Sequence, residues 1–162
     1  MRLLVLAIGH RQPAWAEAAW DDFARRFPPE MRLECIALKA ESRQGGKSAA
    51  QCRAAEALRI ESALAGVSRQ GRGARRIVLD ERGRGVDSAQ LAARLRAWRD
   101  EGRDAAFLVG GPDGLDAALR ERADEALRLS DLTLPHALAR VLLAEALYRA
   151  HTLLEGHPYH RE

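Results

Sequence analysis

Six consecutive apolar residues, Leu3-Leu4-Val5-Leu6-Ala7-Ile8, stand almost at the start of the chain. A strand with one wet face alternates apolar and polar residues. A strand buried on both faces does not, and such strands belong to parallel sheets covered by helices on either side. The rest of the chain repeats this theme. Further strands are predicted over 32–38, 76–79, 105–109 and 126–129. Helices fit between them. The first is opened by Pro13 and stopped by Phe27-Pro28-Pro29, and the second covers 48–64. A third is capped by Asp87 or Ser88 and runs to Arg99, and a short one follows around 115–123. A long last helix is opened by Pro135 and reaches Leu154. Residues 39–47, 70–74, 81–86 and 130–134 read as loops, and 156–162 as an irregular tail. Strands alternating with helices predict an α/β fold, a parallel sheet flanked by helices, in a single domain spanning 1–162.

Composition narrows the class of protein. With 162 residues, 47% of them hydrophobic, the chain has the length and apolar content for a full core. It holds no run near 18 apolar residues, and the first apolar run is too short for a signal-peptide core, so the expectation is a cytoplasmic protein with no membrane partner. Cys35 and Cys52 lack a CxxC spacing or clustered histidines, and read as plain core or near-core thiols with no metal role. The charge is uneven. Residues 1–76 carry 14 Lys/Arg against 8 Asp/Glu, and residues 77–162 carry 12 against 15. A basic first half favours a polyanion through phosphate contacts, although solvated arginine-rich helix faces produce the same count.

Two glycine-containing segments resemble nucleotide-binding motifs and fail their tests. Gln44-Gly45-Gly46-Lys47-Ser48 ends like a phosphate-binding loop, but Glu41 stands where that loop needs its first glycine. Gly71-Arg72-Gly73 follows no strand and reads as a turn. Leu108-Val109-Gly110-Gly111-Pro112-Asp113-Gly114-Leu115 is more pointed. Here a buried strand runs into glycines at its carboxyl end, the place where ligands sit in open α/β sheets. A tight turn would use the same residues. Leu129-Ser130-Asp131-Leu132-Thr133-Leu134-Pro135-His136 alternates leucines with small polar residues, which suits either a flat aromatic ligand or a buried edge strand. His136 fits a satisfied core histidine as well as a catalytic group.

The last helix is apolar on two sides. Leu134, Leu138, Val141, Leu142 and Leu153 form one stripe, and Leu143, Leu147, Ala150 and Leu154 another. Two apolar faces need two partners, the chain's own sheet and a second copy. Glu145 and Arg149 lie four apart within the first stripe, as an intrahelical pair or as groups that place a ligand.

The glycine turn, the Leu-Ser-Asp-Leu-Thr-Leu-Pro-His loop, the helix Arg-Val-Leu-Leu-Ala-Glu-Ala-Leu-Tyr-Arg-Ala and the terminal His-Pro-Tyr-His-Arg-Glu follow one another in an order that resembles the RlmH family. The resemblance covers the whole chain, and its last 55 residues are the specific part. It implies a SPOUT α/β-knot fold with a trefoil knot near the C-terminus, a homodimer, and S-adenosyl-L-methionine as cofactor. It also implies methylation of N3 of a pseudouridine in helix 69 of 23S rRNA, with the assembled ribosome as substrate and no role for DNA. By match, the cofactor would meet Leu79 or Asp80 at a strand end, Gly110 and Gly111 in the glycine turn, and Ser130, Asp131, Leu132, Thr133, Leu134 and Pro135 in the leucine loop. His136, Arg149, Tyr159 and His160 are the catalytic candidates. A histidine would take the N3 proton, Arg149 would steady the resulting anion, and the tail would stack on the base while His157 and Arg161 meet phosphate. The tail of one subunit would complete the other's site. The rival expectation is a non-catalytic RNA-binding assembly factor with a vestigial pocket, which the basic first half would also serve.

Overall fold

A computed structural model describes residues 1–67 and 73–161; of His160 and Arg161 only the backbone is described. Five strands and five helices alternate: β1 (Arg2–Ile8), α1 (Ala14–Arg25), β2 (Arg32–Leu38), α2 (Ala49–Val67), β3 (Arg75–Gly85), α3 (Ser88–Asp100), β4 (Ala105–Val109), α4 (Ala117–Glu121), β5 (Glu125–Arg128) and α5 (His136–Leu154). A short 3-10 turn, Pro158–Arg161, ends the described chain. The turn predicted at 71–73 falls largely outside the described residues. All strands are parallel, in the order β2-β1-β4-β3-β5. No helix among the described residues is long and apolar enough to cross a membrane.

The unbroken apolar runs find the two-sided cover they require. Leu3, Val5 and Ala7 of β1 point with Ile77, Ala105 and Phe107 into a core closed by Leu91, Leu95 and Trp98 of α3 and by Leu143, Leu147 and Ala150 of α5. Leu4, Leu6 and Ile8 point the other way with Val78, Ala106 and Leu108, against Ile60 and Leu64 of α2 and Leu119 of α4. Helix α3 starts in a capping box: the Asp87 carboxylate accepts from the Gln90 N–H, and the Gln90 side chain accepts from Asp87 N–H.

Three local expectations are corrected. Residues 81–86 are not a loop, because β3 runs on through Gly85 and pairs again with β5 after an irregularity between Leu79 and Arg84. Gly83 looked like a loop residue, but it lets two backbones meet: a Cβ there would stand 2.5 Å from the carbonyl carbon of Leu127. The tail is not wholly irregular, since it closes into the 3-10 turn. Cys52 is buried as expected, whereas Cys35 is exposed on the edge strand β2, with its thiol hydrogen-bonded to the Arg140 side chain.

Candidate active site

The carboxyl ends of β1, β3, β4 and β5 open into one cleft of ≈ 960 Å³. Its floor is the glycine turn after β4. One wall is the leucine loop between β5 and α5, joined by Leu79 and Asp80 of β3. The opposite wall comes from Gly9 and Arg11 after β1, and from Ala40 and Arg53. Among the predicted cofactor residues, Leu79, Asp80, Gly110, Gly111, Ser130, Leu132, Thr133 and Leu134 all line this cleft. Two do not. The Asp131 side chain is 83% exposed and pairs with Arg128 at 2.8 Å. Pro135 is the N-cap of α5, where its missing N–H leaves no donor unpaired.

The glycine turn is held shut from within. Gly111 and Gly114 bridge, with Gly114 N–H donating to the Gly111 carbonyl at 2.9 Å. A Cβ at Gly110 would lie 2.6 Å from the Gly114 backbone, so the turn closes only with glycine there. Behind it sits Glu56, a buried carboxylate whose Oε1 accepts from the Glu41 N–H at 2.9 Å. Arg43 reaches across to Asp113 at 2.5 Å and ties the 39–47 segment to the turn. The segment that ends like a phosphate loop is otherwise engaged, since Glu41 binds both Lys47 and Arg59.

His136 roofs this floor. Its Nε2 donates to the Gly110 carbonyl at 2.8 Å. A carbonyl oxygen only accepts, so Nε2 carries the proton and Nδ1 carries the lone pair. Burial, and after it the charge of Arg140, holds the imidazole below its usual range, while the Gly110 bond works the other way. The ring is therefore neutral at pH 7.

Arg140, one turn further along α5, was not anticipated from the sequence. It is 5% exposed and donates to the carbonyls of Ile8 at 3.2 Å and Gly9 at 2.7 Å, so it clamps the end of β1 beneath the cleft. The signal was an arginine four residues after His136 on a largely apolar helix.

The remaining catalytic candidates gather elsewhere. Arg149 pairs with Glu145 at 2.7 Å, as an intrahelical pair would. Tyr159 Oη donates to the same Glu145 oxygen at 3.3 Å. The Tyr159 ring packs edge-on against Tyr148 at 4.8 Å and under the guanidinia of Arg149 and Arg26. Burial, then the Glu145 charge, pushes the phenol up, so it stays protonated. His160 lies in the 3-10 turn, and its side chain is outside the described residues. Thirteen helical positions separate Arg149 from His136, about 20 Å at 1.5 Å per residue. Within one chain, His136 stands at the cleft and Arg149 and Tyr159 do not.

A family model described as "Predicted SPOUT methyltransferase" matches residues 1–160. Over 162 residues, covering 100% of both chains, the sequence is 61% identical to the ribosomal RNA large subunit methyltransferase H of Leptothrix cholodnii. It is 59% identical over the same span to the protein of that name from Methylibium petroleiphilum, and 57% to that from Variovorax paradoxus. The chain belongs to the RlmH family of SPOUT methyltransferases. The five-stranded parallel sheet flanked by helices is accordingly the α/β fold of a SPOUT methyltransferase, and the cleft lies at the carboxyl ends of its strands. This RlmH chain thus has its cleft at the first turn of α5 and a cluster of charged and aromatic tail contacts at that helix's other end.

Proposed function

We propose that the chain is a large-subunit rRNA methyltransferase that transfers a methyl group from S-adenosyl-L-methionine to N3 of a pseudouridine in helix 69 of 23S rRNA, in the cytoplasm and on the assembled ribosome. The observation that carries the proposal is the cleft itself. Eight of the residues matched to the family's cofactor contacts converge on it from three separate chain segments. Its volume is at the upper end of small-ligand sites. Its chemistry fits the cofactor: Leu79, Leu129 and Leu134 offer an apolar wall for a flat base, Ser130 and Thr133 lie between, and Asp80 supplies a carboxylate for hydroxyls.

When bound, S-adenosyl-L-methionine supplies an electrophilic methyl group on a sulfonium. The chain's residues align the acceptor and manage its proton. The neutral His136 keeps Nε2–H on Gly110, so Nδ1 is the atom that accepts the imide proton. Arg149 steadies the resulting anion, and Tyr159 and His160 stack on the extruded base. Because Arg149 and Tyr159 stand far from their own chain's His136, these groups act on the cleft of a second copy.

The homodimer this requires is supported by Leu138, Val141 and Leu142 of α5, which the rest of the chain leaves partly or fully exposed. Leu153, placed on the same stripe from the sequence, packs instead on the core. The proposal takes 1–162 as one domain and includes the trefoil knot of the family.

The test is titration calorimetry with S-adenosyl-L-methionine, followed by transfer of a labelled methyl group to unmethylated ribosomes. Binding and transfer support the proposal. RNA binding without transfer would instead establish the non-catalytic assembly factor.

A further inference from the structure

The charges in the cleft do not cancel, and the surplus lies on one wall. Each acidic side chain that lines it has a cationic partner: Asp80 meets Arg120 at 3.3 Å, Glu81 meets Arg82 at 4.0 Å, and Asp113 meets Arg43 at 2.5 Å. Arg128, also on the lining, is held by Asp131. Two lining cations remain whose guanidinium groups have no hydrogen bond or ion pair among the described residues, Arg11 and Arg53. Glu56, one turn beyond Arg53 on α2, spends its Oε1 on the Glu41 N–H.

Both unpaired arginines stand on the β1 side of the cleft. Two residues before Arg11, the Gly9 N–H donates to Leu38 at 2.7 Å and the Gly9 carbonyl accepts from Arg140, which anchors the chain where it leaves β1. Arg53 is half-buried beside Ile8, Gly110 and Gly114. The leucine wall lies across β4, over β3 and β5. The cleft is thus bipolar, with an apolar wall that suits a flat base and a cationic wall that suits an oxyanion. Two strand spacings, about 10 Å, separate β1 from β3. With the leucine wall given to the cofactor's base, the cationic wall is left to an oxyanion of the acceptor, which enters from the β1 side.

We infer that Arg11 and Arg53 form a phosphate-binding pair that grips the RNA backbone at the target nucleotide and feeds its base across the glycine turn. The inference rests on the RNA-methyltransferase reading above. The cofactor's own carboxylate is the other oxyanion such a pair would take, and the experiment separates the two.

Arg11→Gln, Arg53→Gln and the double variant are compared with Arg96→Gln, which removes the same charge from an exposed position on α3 away from the cleft. The cofactor's Kd is measured by calorimetry, and KM and kcat for unmethylated ribosomes over a series of salt concentrations. Each cleft substitution is expected to raise KM about tenfold or more at low salt. It is also expected to flatten the slope of log KM against log salt by about 0.7–0.9. Cofactor Kd should stay within about twofold, and Arg96→Gln should move neither quantity. A salt slope unchanged from wild type overturns the inference, as does a cofactor Kd that rises tenfold while KM for ribosomes holds. Failure of the wild-type protein to transfer methyl groups refutes the function proposed above. In that case equilibrium binding of the same variants to ribosomes still tests the phosphate pair by its salt slope.

Discussion

The His136 ring donates from Nε2 to the Gly110 carbonyl at 2.8 Å, which ties the first turn of α5 to the floor of the cleft. Its pKa lies below the ordinary 6.5 because the ring is buried and Arg140 is near. The folded protein then binds fewer protons at this group than the unfolded chain, so the stability it lends is complete above pH 6.5 and declines as the pH falls through the lower folded value. Thermal melts of wild type should drop between pH 7 and pH 5. His136→Gln should melt with a shallower acid slope; an identical slope would show that His136 does not titrate as described.

If Nδ1 of His136 takes the imide proton, His136→Ala should slow single-turnover methyl transfer about 100-fold or more and leave cofactor affinity within several-fold. Full transfer by a variant that binds cofactor would remove His136 from the chemistry.

Arg140→Met should be destabilised by about 1–3 kcal/mol in urea titrations, because the Ile8 and Gly9 carbonyls lose their buried donor. Loss of that charge also frees His136 to titrate higher, so the acidic limb of the rate profile should shift upward in pH. A lower midpoint with an unmoved limb would mean that Arg140 only braces the fold.

Gly110 and Gly114 should respond to alanine in opposite styles. At Gly110 the new Cβ would collide with backbone at 2.6 Å, so Gly110→Ala should distort the turn and abolish measurable cofactor binding. At Gly114 the side is open and only the left-handed φ of 80° is strained, which costs about 1–2 kcal/mol. Gly114→Ala should therefore bind cofactor and melt earlier. Calorimetry and melting curves distinguish the two.

A mixture of His136→Ala and Tyr159→Ala subunits should methylate although each variant alone is inactive, since a mixed dimer holds one cleft and one tail that are both intact. Random mixing should restore at most about a quarter of wild-type rate per dimer site. No recovery after subunit exchange would place the tail at its own chain's cleft.

The sheet was legible because its signal is local. Runs such as Leu3–Ile8 and 105–109 cannot be half-exposed strands, and the glycines after Val109 mark a strand end whatever surrounds them. What stayed hidden depends on distant residues. Gly83 reads as a loop until Leu127 is seen against it, and Arg140 reads as another helix polar group until the carbonyls of β1, over 130 positions earlier, are placed beneath it. The family pattern unites His136, Arg149, Tyr159 and His160 but does not say that α5 sets His136 and Arg149 about 20 Å apart in one chain.

That helix has few positions left to drift. Leu143, Leu147 and Ala150 fill the core, His136 and Arg140 secure two strand ends, Glu145 and Arg149 hold the tail, and Leu138, Val141 and Leu142 form the face proposed for a second copy. Along α5 almost every side chain answers to a different neighbour. An evolving chain could retune its basic surface residue by residue, but a change to this helix would have to be matched at several remote sites at once.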